Sequence, residues 1–236
     1  MKVLIPMAGE GSRFAKAGYT FPKPLIDVSG KPMIEVVVNN LDFDAEFIFL
    51  VRKEHLEKYQ IKDTLKLITN DNYKIVEVDS LTEGAACTAL LAKELINVDE
   101  DLLIANSDQY MKFSIENFNT MRKFSNADGI VFTFHASHPK WSFVKCNSRG
   151  AIIEVAEKRP ISNIATTGVY WYSKGSDFVK YAEQMIEKDI RTNNEFYIAP
   201  VYNELIQDKR LLLPFFVDSM NGLGTPEDLN AFLEKK

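Results

Sequence analysis

The sequence predicts an α/β chain: a doubly wound, mostly parallel mixed sheet that carries a small antiparallel region. Two patterns predict it, and the length allows it. Through the first half, the apolar runs "KVLIPM", "AEFIFLV", "YKIVEV" and "DLLIANS" recur with helix-like segments between them, as in a parallel sheet wrapped by helices. In the second half, "GIVFTFHA", "SFVKCNS", "AIIEVAE" and "IATTGVYWY" stand close together, with "NSRG" as a turn signal, which reads as antiparallel additions. At 236 residues the chain is long enough to bury a sizeable core.

Each element has a local reason. Helices are expected to begin near Pro32, after Gly30 and Lys31, near Glu54, at Gly84, and at Ser114, where a serine precedes the apolar-periodic "IENFNTMRKF". After the second strand group come helices over "GSDFVKYAEQMIEK" and "NEFYIAPVYNELIQDK", a strand "RLLLPFFV", and a last helix in "TPEDLNAFLEKK". Thr225, with Pro226 at the first helical position and Asp228 three residues on, is a strong helix start. Tyr170, Trp171 and Tyr172 are expected to pack the sheet. No repeat, low-complexity tract or linker interrupts the chain, so residues 1–236 read as one domain.

A net charge of −5 argues against a protein that coats nucleic acid or anionic lipid. No apolar run approaches bilayer length, and "MKVLIPMAGEG" lacks a signal-peptide core and cleavage site, so the expected location is cytoplasmic. Cys87 and Cys146 have no C-x-x-C spacing and read as buried reduced thiols. His135 and His138, three apart in "HASHPKW", read as part of a polar loop rather than a zinc pair.

The chemistry concentrates in "MKVLIPMAGEGSRFAKAGYTFPKPLIDVSGKP". A dinucleotide fingerprint needs a third glycine, and Phe14 stands there; a Walker loop needs Gly-Lys-Ser/Thr, and Gly11 is followed by Ser12 and Arg13. What remains is a run of unhindered backbone N–H groups at Ala8, Gly9 and Gly11, then Arg13 and Lys23, all beyond the carboxyl end of one strand. These are phosphate-seeking groups. Prolines flank Lys23 in "FPKPL" and limit where its ammonium can point.

"GEGSRF" followed by "FPKPLIDVSGKPMI" resembles the signature of the sugar-phosphate nucleotidyltransferases, which join a nucleoside triphosphate to a phosphorylated metabolite and release pyrophosphate. "TEGAACTALLA", "NSDQY", "EKRPISNIATTGVYWY", "NNEFY" and "GLGTPEDL" fall where that family has its later motifs, so the resemblance covers nearly the whole chain. It implies a Rossmann-like sheet with a nucleotide-binding half over about 1–135 and an acceptor-binding half over about 136–236.

The implied step is attack by an acceptor phosphate oxygen on the α-phosphorus, with pyrophosphate leaving in line. Such a step rests on alignment and charge neutralisation. By resemblance, Arg13 meets the β and γ phosphates and Lys23 the α-phosphate; Ala8, Gly9, Gly11 and Ser12 line the phosphate loop, and Thr82, Glu83 and Gly84 contact the nucleoside. Glu157 and Lys158 match the family's acceptor-holding pair, with Gly168 and Glu195 as further acceptor contacts. Asp108 ends an apolar run at a strand's carboxyl end and suits magnesium, with manganese as an alternative. Many relatives place a second metal-binding aspartate where this chain has Gly222, and Asp218, at the end of "FFVD", is taken as its substitute.

The short chain resembles cytidylyltransferases, which makes CTP the expected donor. The expected acceptor is a small phosphorylated metabolite: a sugar 1-phosphate, phosphocholine, or the amide phosphate of glutamine used in bacterial capsule decoration. A homo-oligomer is compatible with the sequence; nucleic acid and membrane are not expected partners. A glycosyltransferase would need Asp-x-Asp where Asn106, Ser107 and Asp108 stand, and would leave Arg13 and Lys23 without a task. The non-enzymatic alternative is a nucleotide-binding regulatory module.

Overall fold

The computed structural model of the chain describes residues 1–235. The first elements are β1 (Lys2–Pro6), α1 (Ser12–Lys16), α2 (Met33–Leu41), β2 (Glu46–Arg52), α3 (Lys53–Lys58), α4 (Ile61–Ile68) and β3 (Tyr73–Val78). Then follow α5 (Ala85–Leu90), α6 (Lys93–Ile96), β4 (Leu102–Ala105), β5 (Gln109–Lys112), α7 (Ile115–Phe124) and β6 (Gly129–His135). The last group is β7 (Phe143–Cys146), β8 (Ile152–Ala156), β9 (Ile164–Tyr172), α8 (Gly175–Glu187), α9 (Val201–Gln207), β10 (Leu212–Phe216), β11 (Ser219–Gly222) and α10 (Pro226–Leu233).

The main sheet runs β10-β6-β9-β4-β1-β2-β3, with β7 and β8 attached beside β9. β1 is parallel to both β2 and β4, β2 to β3, and β10 to β6, whereas β9 is antiparallel to β4 and β6. The continuous apolar run in β1 follows from burial on both faces. Leu4 joins Ile48, Ile104, Tyr172 and Tyr202 in one core, while Val3 and Ile5 join Phe49, Leu103, Phe118 and Trp171 in the other. Tyr170, Trp171 and Tyr172 are all buried in the sheet, as expected.

A third cluster fixes the site. Phe14, Ile26, Val28, Met33, Leu223, Leu229 and Phe232 pack together and bind α1, the "FPKPLIDVSGKP" segment and α10 into one unit. Lys23 opens a short 3₁₀ turn (Lys23–Leu25), with Leu25 N–H bonded to the Pro22 carbonyl at 2.8 Å. The prolines and the buried Ile26 therefore hold Lys23 from both sides.

Two helix starts follow their sequence signals closely. Ser114 accepts from Asn117 N–H at 3.1 Å, and Thr225 accepts from Asp228 N–H at 3.1 Å. In "NSRG", the Asn147 side-chain oxygen accepts from Arg149 and Ala151 N–H, closing the β7–β8 turn. The helix expected over "NEFYIAPVYNELIQDK" begins only at Val201. Asn193 and Asn194 have φ of 50° and 64°, and the Phe196 backbone is bonded to Glu83 O and Ala86 N–H, so residues 194–200 form a docked loop. Cys87 and Cys146 are unpaired but half-buried rather than fully buried. Among the described residues no helix is long and apolar enough to cross a membrane.

Candidate active site

The loop after β1 runs along two adjoining cavities of about 440 and 400 Å³ that share Pro6, Gly9, Gly11, Ser12 and Glu195 as walls. The first adds Arg13, Lys23, Lys158 and Tyr197; the second adds Ala8, Thr82, Gly84 and Thr88. A third cavity of about 190 Å³ shares Arg13 and Gly224 with the first and is walled by Asp108, Gln109, Trp141, Glu157, Thr167, Gly168 and Asp228. The three form one groove at the carboxyl ends of β1 and β4, where open α/β sheets bind ligands.

Where the first and third cavities meet, Lys23 Nζ lies 2.5 Å from Asp108 Oδ2, both side chains about one-fifth exposed. The ammonium expected to meet phosphate and the carboxylate expected to meet metal are each other's partner. On the acceptor side, β8 leads directly into Glu157 and Lys158, and the two diverge. Glu157 faces the small cavity and takes a hydrogen bond from Ser142, while Lys158 turns into the first cavity, donating to the Tyr197 hydroxyl at 2.5 Å with its Nζ 4.5 Å above that ring. Lys158 reaches this position with φ of 51°, a left-handed backbone rare for a non-glycine residue and frequent at functional sites.

Burial pushes the Glu157 carboxyl above its ordinary value, opposed by the Ser142 hydrogen bond and the Lys158 charge. Burial and the neighbouring Glu195 likewise raise the Tyr197 phenol, so its hydroxyl stays protonated. Thr82 bonds to the Gly84 carbonyl and shares a hydrogen bond with Thr88, shaping the second cavity's wall.

Thus Ala8, Gly9, Gly11, Ser12, Arg13, Lys23, Thr82, Gly84, Asp108, Glu157, Lys158, Gly168 and Glu195 line one groove. Two expected residues do not. Glu83 turns its side chain outward to Arg191, at 2.6 Å, and only its carbonyl serves the site by holding Phe196. Asp218 sits at the far end of the two-stranded β5–β11 sheet. Its N–H bonds to Lys112 O, whereas Leu223 N–H bonds to Asp108 O, so the strand register separates the two aspartates by roughly 15 Å. Asp218 lines a separate cavity with Lys31, Asn40 and Lys112. The carboxylate near Gly222 belongs to Asp228, whose Oδ2 would lie 3.6 Å from a Cβ at that glycine.

A divalent ion fits the donor chemistry at Asp108. Its carboxylate walls the small cavity beside Gly224, which lines both cavities, and pairs with Lys23, and magnesium commonly takes one protein carboxylate, with phosphate oxygens and water completing its shell. Sequence reasoning missed Gln109, Trp141, Thr167, Tyr197 and Asp228. Asp228 was visible only as a helix-cap residue, although its carboxylate in fact goes to Lys140 at 2.6 Å.

The nucleotidyl transferase family pattern matches residues 2–235. The GlmU bifunctional protein of Methanocaldococcus jannaschii is 26% identical over 232 residues, covering 97% of this chain and 52% of that protein. The catalytic subunit beta of mannose-1-phosphate guanylyltransferase from Dictyostelium discoideum is 24% identical over 80% of this chain and 55% of its own length. This chain thus spans about half the length of these relatives. Among solved structures, a nucleoside-diphosphate-sugar pyrophosphorylase of Vibrio cholerae superposes with a TM-score of 0.85 at 28% identity, covering 98% of this chain and 99% of that one. The inositol-1-phosphate CTP transferase of T. maritima shares the fold, with a TM-score of 0.75 at 14% identity over 99% and 93%. By sequence pattern, fold and the grouping of these side chains, the chain belongs to the nucleotidyl transferase family.

Proposed function

We propose that this chain transfers a nucleoside monophosphate from a nucleoside triphosphate to a small phosphorylated acceptor, best a sugar phosphate, releasing pyrophosphate. The observation that carries this reading is the junction at Lys23 and Asp108, where a glycine-walled groove meets the cavity of Glu157, with Arg13 on both.

An acceptor phosphate oxygen attacks the α-phosphorus; the bond from that phosphorus to the bridging oxygen breaks, and pyrophosphate leaves with the electron pair. Arg13 and the amides of the Gly9–Ser12 loop hold the outgoing phosphates, and Lys23 meets the α-phosphate as charge grows on its oxygens. Lys158 holds the acceptor phosphate, and Glu157 and Glu195 accept hydrogen bonds from acceptor hydroxyls. Thr82 and Gly84 border the space for the nucleoside. When bound at Asp108, magnesium supplies charge neutralisation on the phosphates.

CTP as donor, a cytoplasmic reaction and a product destined for surface polysaccharide are the finer parts of this proposal; the first and last rest on the family resemblance, the second on the sequence's lack of a bilayer-length apolar run. The test is pyrophosphate release with magnesium, crossing CTP, UTP, GTP, ATP and dTTP against hexose 1-phosphates, phosphocholine and phosphoglutamine. Turnover with a single donor–acceptor pair supports the reading and fixes both specificities. Triphosphate binding without turnover anywhere in the matrix favours the regulatory module.

A further inference from the structure

The turn that carries Glu195 into the groove is held from outside it. Residues 188–195, exposed except for Thr192, run from the end of α8 to the buried Phe196. At the tip, Thr192 and Glu195 exchange two backbone hydrogen bonds of 3.0 Å across the left-handed Asn193 and Asn194. So exposed a turn has little packing beneath it to fix where Glu195 stands.

Arg191, at the base of the turn, supplies the missing contacts. Its guanidinium meets Glu83 at 2.6 Å and Asp189 at 2.5 Å, donates to the Asn194 carbonyl at 3.2 Å, and lies 4.0 Å above the Phe196 ring. A planar fork makes such contacts together, which a single ammonium cannot do. With two carboxylates on it, this cation is already neutralised and is not left free for phosphate. The Glu83 side chain is 68% exposed, so the ion pair adds little to global stability. Its consequence is geometric. Glu83 sits between Thr82 and Gly84 of the second cavity, whereas the turn delivers Glu195, which walls both larger cavities, and leads into Tyr197, which takes the Lys158 ammonium. The backbone bonds of Phe196 to Glu83 and Ala86, at 2.8 and 2.9 Å, fix the turn's exit, and Arg191 fixes the turn itself.

Resting on the nucleotidyl-transfer reading above, we propose that Arg191 is a positioning residue that couples the two substrates. By clamping the Glu195 turn to Glu83, it lets a nucleotide seated against Thr82 and Gly84 hold Glu195 and Tyr197 where the acceptor meets them. Arg191 itself walls none of the three cavities, so it acts through the residues it holds. Such coupling is reciprocal: triphosphate tightens acceptor binding, and acceptor tightens triphosphate binding, by the same factor.

The test takes the donor–acceptor pair that turns over in the matrix above and compares wild type with Arg191→Met, Arg191→Lys and Glu83→Gln. Methionine keeps an unbranched stem beside Phe196 and removes the charge, whereas lysine can still pair with Glu83. Calorimetry gives the triphosphate Kd without acceptor, and pyrophosphate release gives the acceptor KM at saturating triphosphate. In Arg191→Met the acceptor KM should rise about fivefold or more while the acceptor-free triphosphate Kd stays within about twofold of wild type. Its melting temperature should stay within about 2 °C of wild type. Arg191→Lys should fall between the two, and Glu83→Gln should raise the acceptor KM yet add nothing further on top of Arg191→Met. An unaltered acceptor KM in Arg191→Met, or additive effects of the two substitutions, overturns the inference and leaves nucleotidyl transfer intact. A lowered melting temperature with equal weakening of acceptor-free triphosphate binding marks a purely structural role and overturns it too. Silence with every donor–acceptor pair overturns both readings.

Discussion

Asp108→Asn is expected to tighten triphosphate binding in the absence of metal while abolishing most metal-dependent turnover. In the structure, Lys23 Nζ is 2.5 Å from Asp108 Oδ2, with side-chain exposures of 23% and 22%. A triphosphate arriving without metal must break that contact before Lys23 can meet it, and Asp108 then adds repulsion. A hydrogen bond to a charged group contributes about 1.5–3 kcal/mol when shielded from water. Discounted for the one-fifth exposure and the screening it allows, the pair amounts to about 1–2 kcal/mol. Asparagine keeps the shape and removes the charge, so at about 1.4 kcal/mol per tenfold the metal-free affinity should rise roughly 5- to 30-fold. Titration calorimetry in EDTA with CTP, UTP, GTP and ATP measures it, with Lys23→Ala as the control that weakens binding. An Asp108→Asn protein that binds triphosphate no tighter than wild type without metal would refute the coupling between these two side chains.

Gly84→Ala should destabilise the fold by more than about 3 kcal/mol, because φ of 131° is strained for alanine and the new Cβ would sit 2.4 Å from the Phe196 carbonyl oxygen, which is backbone and cannot turn aside; urea denaturation checks this. Glu157 gives a pH signature. Its pKa is raised in the folded state, so its favourable contribution is complete below the ordinary glutamate range and is lost as pH climbs through the raised value. Melting temperature should therefore fall over that interval in wild type, and the fall should be smaller in Glu157→Gln. Tyr202→Phe removes a hydroxyl that donates to Trp171 O at 2.8 Å in the buried stack on Tyr172; a cost of about 1–2 kcal/mol, read as a fall of about 2–8 °C in melting temperature, is expected.

The phosphate side of the site was legible because its residues are adjacent in sequence. A strand, two glycines, an arginine and a proline-flanked lysine together announce an anion cradle. Residues joined only by tertiary pairing were not. β5 and β11 are four-residue segments, "QYMK" and "SMNG", with little apolar pattern of their own; each becomes a strand by pairing with the other across more than a hundred residues. That register sends Asp218 away from Asp108 and brings Asp228 near Gly222, an exchange invisible to spacing. α1 has no side-chain cap, only Gly11 in a left-handed conformation, so a helix directly after a glycine loop carried no start signal. The loop at 194–200 reads as helix from its apolar residues, yet the left-handed Asn193 and Asn194 and the docking of Phe196 onto the Gly84 segment prevail over propensity.

The central claim is tested most directly by pyrophosphate release from wild-type protein with magnesium across the donor–acceptor matrix. Release that requires both a triphosphate and a hexose 1-phosphate together, with Lys23→Ala nearly silent, is the predicted result. Release from triphosphate alone, or none from any pair despite measurable triphosphate binding, would contradict transfer to a phosphorylated acceptor.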